Sequence, residues 1–205
     1  MLRPSAPWRQ TPSQTAGPYV HIGLTPQVVG LGRSRAALGG AIAGPAASGR
    51  RIRVKGRVLD GLGAPLRDGV IEVWQADSEG RYNGGHQAAP AVDFRGWGRV
   101  VSDFATGAWA FETIKPGPVP FPGGAEQAPH LNLWIVARGI NIGLNTRMYF
   151  ADEAEANARD PILNLIEWEA RRTTLIAPRL EHDPMPIYRF DIRLQGENET
   201  VFFDL

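Results

Sequence analysis

The stretch HLNLWIVARG, residues 130 to 139, decides how the chain is read. Side chains alternate along a strand, so Leu131, Leu133 and Ile135 share one face and His130, Asn132 and Trp134 share the other. The pattern predicts a central strand with an apolar inner face. A His-x-His strand would aim two imidazoles the same way, roughly 6.5–7 Å apart at Cα, which suits one metal ion. Here the second position is Asn132, and a neutral amide oxygen is a poor metal ligand.

Working outward, short strands and turn signals recur on both sides. RIRVKGRVLD, from Arg51, alternates and offers Ile52, Val54 and Val58 to a core. DGLGAPL is a turn set by Gly61, Gly63 and Pro65, and DGVIEVWQAD is the next strand. GWGRVVSDF and GAWAFETI are expected to form a hairpin around Ala105, Thr106 and Gly107. KPGPVP is a proline-set loop, RMYF at 147–150 a strand, and YRFDIRLQG with ETVFFDL is expected to close the sheet. Trp74, Trp97, Trp109 and Trp134 fall on strands and are expected in the core rather than as a ring-binding platform. Between 151 and 176 the pattern turns helical. ADEAEANA suits a short surface helix, and Asp160 before Pro161 is an N-cap followed by proline at the first helical position of PILNLIEW. The whole is a mainly β chain, a β-sandwich with short helices at about 152–176.

Residues 1–49 are rich in Pro, Gly, Ala and Ser and lack periodicity, so they are expected to be an arm for assembly and partner contact, with 50–205 as the sandwich domain. TPSQTAGPYVHIGL carries apolar and aromatic residues that a free tail has little use for, which favours an arm packed on this chain or on a partner.

Composition excludes several functions. With 205 residues the chain can bury roughly 70% of its unfolded surface in one core. A formal net charge of +1 gives no basic field for nucleic acid. There is no cysteine, hence no disulfide, thiolate metal site or Cys nucleophile. The N-terminal stretch has no signal-peptide core, and ALGGAIAGPAA at 37–47 is too short to span a bilayer, so a cytoplasmic protein without membrane or nucleic-acid partners is expected. The histidines are His21, His86, His130 and His182, and the tyrosines Tyr19, Tyr82, Tyr149 and Tyr188. No H-E-x-x-H, G-x-S-x-G or Walker pattern occurs.

Taken together, TPSQTAGPY, IEVWQAD, FETIKPG, HLNLWIVARGINIGLNTRMYF and YRFDIRLQGENETVFFDL resemble the intradiol ring-cleaving dioxygenases, over almost the whole chain from about Thr11 to Leu205. The resemblance implies a sandwich of the intradiol type. Active chains of that family hold non-haem Fe(III) through two tyrosines and two histidines, a hard set for a hard ion. Carried over, one histidine position is His130 and the other Asn132. The tyrosine after KPGP is replaced by Val119, and counting back from Phe94 puts His86 where the other tyrosine stands. The arginine three residues before the first histidine is Gln127 here.

The resemblance therefore implies a vestigial site and no metal or catalytic residue in this chain. It is similar to the metal-free alpha type of chain, which joins a homologous beta chain that carries the Fe(III). The implied reaction takes protocatechuate and O₂ to 3-carboxy-cis,cis-muconate in aromatic catabolism, the β-ketoadipate pathway, by a large hetero-oligomer. By family position Gly17, Pro18 and Arg138 line the partner's pocket, Arg138 offering charge to a substrate carboxylate. Two other readings compete: a stand-alone, non-catalytic β-sandwich binding module, and a self-sufficient enzyme using His86 and His130 with another metal.

Overall fold

The computed structural model describes residues 12–31, 40–84, 93–180 and 185–204. In chain order its elements are α1 (Val20–Leu24), β1 (Arg51–Leu59), β2 (Val70–Gln75), β3 (Trp97–Val101), β4 (Ala108–Ile114), β5 (Val119–Pro120), β6 (Glu126–Gln127), β7 (His130–Val136) and β8 (Leu144–Phe150). There follow α2 (Ala154–Arg159), α3 (Glu169–Arg172), β9 (Ile176–Ala177), β10 (Arg179–Leu180), β11 (Ile187–Arg189) and β12 (Ile192–Arg193). Two five-stranded sheets face each other. One centres on β1, with β4 antiparallel on one side and β11 then β12 parallel on the other; the second has the order β3-β2-β7-β8-β9. β7 is thus a central strand, as its sequence predicts.

The core between the sheets is built from alternate residues. Ile52, Val54 and Val58 of β1 are fully buried, and so are Ile71 and Val73 of β2 and Leu131 and Ile135 of β7. They pack in one cluster with Trp109, Met148, Phe150 and Tyr188. Polar bonds also cross the core. Thr113 Oγ1 donates to Gln75 Oε1 at 2.7 Å, and Gln75 Nε2 donates to the carbonyl of Ile114 at 2.9 Å. This satisfies a fully buried amide that would otherwise cost free energy to desolvate. Residues 40–49 join the same body: Ile42 lies in the core cluster and Ala43 bridges to Phe94.

Two expectations need correction. β3 and β4 are not a hairpin, because β3 pairs with β2 in one sheet and β4 with β1 in the other. The turn between them is a tight one, with Asp103 Oδ1 accepting from the amides of Ala105 and Thr106, but it carries the chain across the sandwich. A turn signal tells where the chain bends, not which strand it will pair with. ETVFFDL is not a closing strand; among its described residues only Phe203 makes a bridge, to Asn145. PILNLIEW supplies the short helical turn expected there, a 3₁₀ turn at Leu163–Leu165, and Asp160 caps it by accepting from the amides of Ile162 and Leu163. Among the described residues no helix is long and apolar enough to cross a membrane.

The step from β11 to β12 explains a glycine. Between them the amide of Phe190 donates to the carbonyl of Lys55 at 2.8 Å, and Asp191 Oδ1 accepts from the amide of Arg57 at 3.0 Å. Gly56 lies at that interruption, where a Cβ would collide with the Phe190 carbonyl. Backbone on both sides leaves nothing to rotate away, so Gly56→Ala is expected to lower stability by about 3 kcal/mol, read as a shift in the urea unfolding midpoint at unchanged slope.

Candidate functional site

His130 opens β7 on the outer face of the second sheet. Antiparallel pairing sets Tyr149 beside it and Arg147 beside Asn132, both on β8, while Trp74 of β2 lies opposite Asn132. The imidazole is buried. Its Nδ1 is 2.7 Å from the carbonyl of Ala128, which can only accept, so Nδ1 carries the proton and Nε2 the lone pair. That lone pair, the one a metal would need, is met by the Tyr82 hydroxyl at 3.2 Å. The same hydroxyl accepts from Asn132 Nδ2 at 2.9 Å, and this amide nitrogen also reaches the carbonyl of Trp74 at 3.3 Å.

The network continues outward. Arg147 Nη1 donates to Gln127 Oε1 at 2.7 Å, and Gln127 pairs with Val119 across the β5–β6 ladder. Buried Asp160 accepts from the amide of Ala128 at 2.7 Å and from the Tyr149 hydroxyl at 3.2 Å. His130, Asn132, Val119 and Gln127 are therefore brought together. His86 lies outside the described residues.

This arrangement does not fit a ferric ion. Burial first, and then the Arg147 charge, push the His130 pKa down to about 4, so the ring is neutral and already spoken for. Two phenols are at hand, Tyr82 and Tyr149. Burial raises the pKa of both, which keeps the proton that a phenolate ligand must lose. Val119 offers no donor atom, Asn132 spends its N–H groups on Tyr82 and Trp74, and Arg147 brings a positive charge. Among the described residues no three His, Cys, Asp or Glu side chains gather in a metal-binding group.

Sequence reasoning missed Tyr82 and Arg147. Arg147 is legible in retrospect from the register of β7 with β8. Tyr82 is not, because only the folded turn held by Asp77, whose Oδ1 accepts from the amides of Glu79 and Arg81, brings residue 82 back over β7. The tryptophans need correction too. Trp109 is core, but Trp74 is 55% exposed. Trp74, Trp97 and Trp134 line an outer-face groove of about 570 Å³ together with Asn132, Arg147 and Phe203. Outward parity along β2, β3 and β7 overrides their hydrophobicity.

Arg138 lies at the other end of β7, eight residues from His130 and so roughly 26 Å away along an extended strand. It forms an ion pair with Asp68 through Nε. Next to it, the amide of Gly139 donates to Thr15 Oγ1 at 2.6 Å. The arm is thus packed on this chain here. Arg99 Nη1 holds the carbonyl of Leu24 at 2.9 Å while its other nitrogens bind Glu72, and His21 sits edge-on to Phe104 at 5.0 Å. Gly17 and Pro18 stay exposed just before α1. The structure brings Gly17, Pro18 and Arg138 to one end of the sheet and separates them from the His130 cluster.

Comparison with known proteins agrees with this geometry. Residues 41–196 match the family described as dioxygenase. An alpha chain of protocatechuate 3,4-dioxygenase from Pseudomonas putida is 51% identical over 195 residues, 95% of this chain and 96% of that one. The chain belongs to the intradiol dioxygenase family. A beta chain of protocatechuate 3,4-dioxygenase from Burkholderia cepacia is also similar, 37% identical over 161 residues, 74% of this chain and 67% of that one. In fold, the dioxygenase domain of a carbohydrate-binding fusion from Streptomyces sp. SirexAA-E matches with a TM-score of 0.55 at 21% identity, covering 94% of this chain and all of that domain, 100%. Among the described residues of this intradiol family member, the cluster around His130, Asn132 and Val119 offers no ferric site.

The buried His130 makes stability depend on pH. Its pKa is about 4 folded against 6.5 for an ordinary imidazole. As pH falls from 6.5 toward 4 the unfolded ring takes up a proton that the folded ring refuses, so stability drops by at most roughly 3 kcal/mol and then levels off. Urea unfolding between pH 7 and pH 4 is expected to show this slope, and His130→Gln to flatten it.

Proposed function

We propose that this chain is the metal-free alpha subunit of a protocatechuate 3,4-dioxygenase. In this reading it pairs with a homologous beta chain whose Fe(III) supplies the ring-opening chemistry. The assembled enzyme adds both atoms of O₂ to protocatechuate, cuts the bond between its hydroxyl-bearing carbons and yields 3-carboxy-cis,cis-muconate. The protein works in the cytoplasm.

The observation that carries this reading is the closed His130 cluster in a chain so similar to alpha chains. Tyr82 fills the ligand position on Nε2, so on this reading the described cluster offers no metal chemistry of its own. Its contribution is the other end of β7. There Gly17 and Pro18 give a backbone that another chain can approach closely, and Arg138 keeps a side chain 64% exposed. On this proposal Gly17, Pro18 and Arg138 line the partner's pocket, and the guanidinium binds the substrate's ring carboxylate by charge-assisted hydrogen bonds.

Expressed alone, the chain is expected to contain no stoichiometric iron and to consume no O₂ with protocatechuate; co-expressed with a beta chain, the pair is expected to be ferric and active. Iron content and oxygen uptake check both halves, and an active lone chain would overturn the reading. In the assembled enzyme Arg138→Ala is expected to raise KM for protocatechuate about tenfold, the cost of one charge-assisted hydrogen bond, and to leave catechol, which lacks the carboxylate, nearly unchanged.

A further inference from the structure

Asp68 stands two residues before β2, and Arg138 two residues after β7. The β2–β7 ladder ends at the Val70–Val136 pair; just beyond it Asp68 lies in a bend and Arg138 in the turn closed by the Ile140 amide on the Ala137 carbonyl, and the two meet there. Their ion pair therefore joins the two segments that leave the same end of the ladder. Asp68 is the better buried partner, with 18% of its side chain exposed against 64% for Arg138. The acid is anchored and the cation reaches outward.

The contact is through Nε alone. Within the described residues Nη1 and Nη2 of Arg138 make no hydrogen bond, so the outer edge of the guanidinium, the edge that matches a carboxylate in a bidentate fork, stays open. The arm closes the other side. Gly139 is bonded to Thr15, and His21 of α1 lies close enough to feel the charges of both Asp68 and Arg138. Arg138 is thus held from below by an acid and flanked by the arm, with one face left for a ligand.

We propose that Asp68 is the positioning residue for Arg138: gripping Nε, it fixes the guanidinium so that its two terminal nitrogens face the carboxylate of the aromatic substrate in the partner's pocket. This rests on the reading that Arg138 lines that pocket. Two effects of Asp68 oppose each other. Its negative charge repels the substrate carboxylate, but across an exposed guanidinium that repulsion is screened by water and salt. Its grip removes the rotamer freedom of a long side chain before the substrate arrives. The second effect dominates, because the acid binds the far edge of the fork and leaves the near edge untouched.

The test uses the assembled alpha–beta enzyme with protocatechuate and catechol as alternative substrates. Asp68→Ala is expected to raise KM for protocatechuate five- to tenfold while kcat stays within twofold and catechol kinetics barely move. Asp68→Asn keeps an oxygen acceptor without the charge and is expected to give an intermediate rise of about threefold, which remains diagnostic if the alanine variant assembles poorly. A general packing defect would instead lower kcat for both substrates alike and overturn the proposal. Unchanged protocatechuate KM in both variants, or a fall in it, would also overturn the proposal, the fall marking Asp68 as a brake on binding. Arg138→Ala runs alongside: if it too fails to discriminate the substrates, the pocket reading itself falls; if it discriminates and the Asp68 variants do not, only the positioning role falls.

Discussion

Leu131, Leu133 and Ile135 enter the core between the sheets, and their burial commits every other side chain of β7 to the outer face. Each is a large apolar group worth about 1.5–3 kcal/mol on burial, so a one-residue slip of this strand would lose several such groups to water at once. The His130 cluster follows from that fixed parity: His130, Asn132 and Trp134 must look outward, and Arg147 must lie beside Asn132. β7 serves as a ruler, with a closed cluster at one end and an open cation at the other.

The closed end is a stable polar network in its own right. The carbonyl of Ala128 sets the His130 tautomer, Tyr82 caps the free nitrogen and Asn132 supplies the hydrogen bond that Tyr82 accepts. Asp160 fixes Ala128 from beneath through its amide. Such a chain is costly to open because each member, once buried, needs its neighbour. The ring nitrogens of His130 and the amide nitrogen of Asn132 are taken up by protein hydrogen bonds to Ala128, Tyr82 and Trp74. The open end is built differently, from one exposed guanidinium, one anchored acid and a segment of arm, and it suits contact with a second chain.

Much of this is legible in the residues. The alternation of RIRVKGRVL and HLNLWIV gives two central strands, and Asp160-Pro161 gives a cap that the structure retains at the head of a 3₁₀ turn. The family resemblance, carried over to Asn132 and Val119, implies that a two-histidine, two-tyrosine set is broken. The β3–β4 connection is a different matter. Asp103 marks a tight turn equally well whether the flanking strands pair with each other or part to opposite sheets, because the turn's bonds are local and the pairing energy is not. The tryptophans mislead for a related reason: a large apolar side chain names no face until the register of its strand is known.

The sequence by itself determined the central strands β1 and β7 and their alternating core residues, because alternation is a local property of residue type. The tertiary structure alone decided that Tyr82 closes the His130 lone pair, that Arg147 adds its charge there and that Asp68 grips Arg138. Each of those contacts joins residues tens of positions apart in the chain, and their geometry exists only once the strands have chosen their neighbours and register.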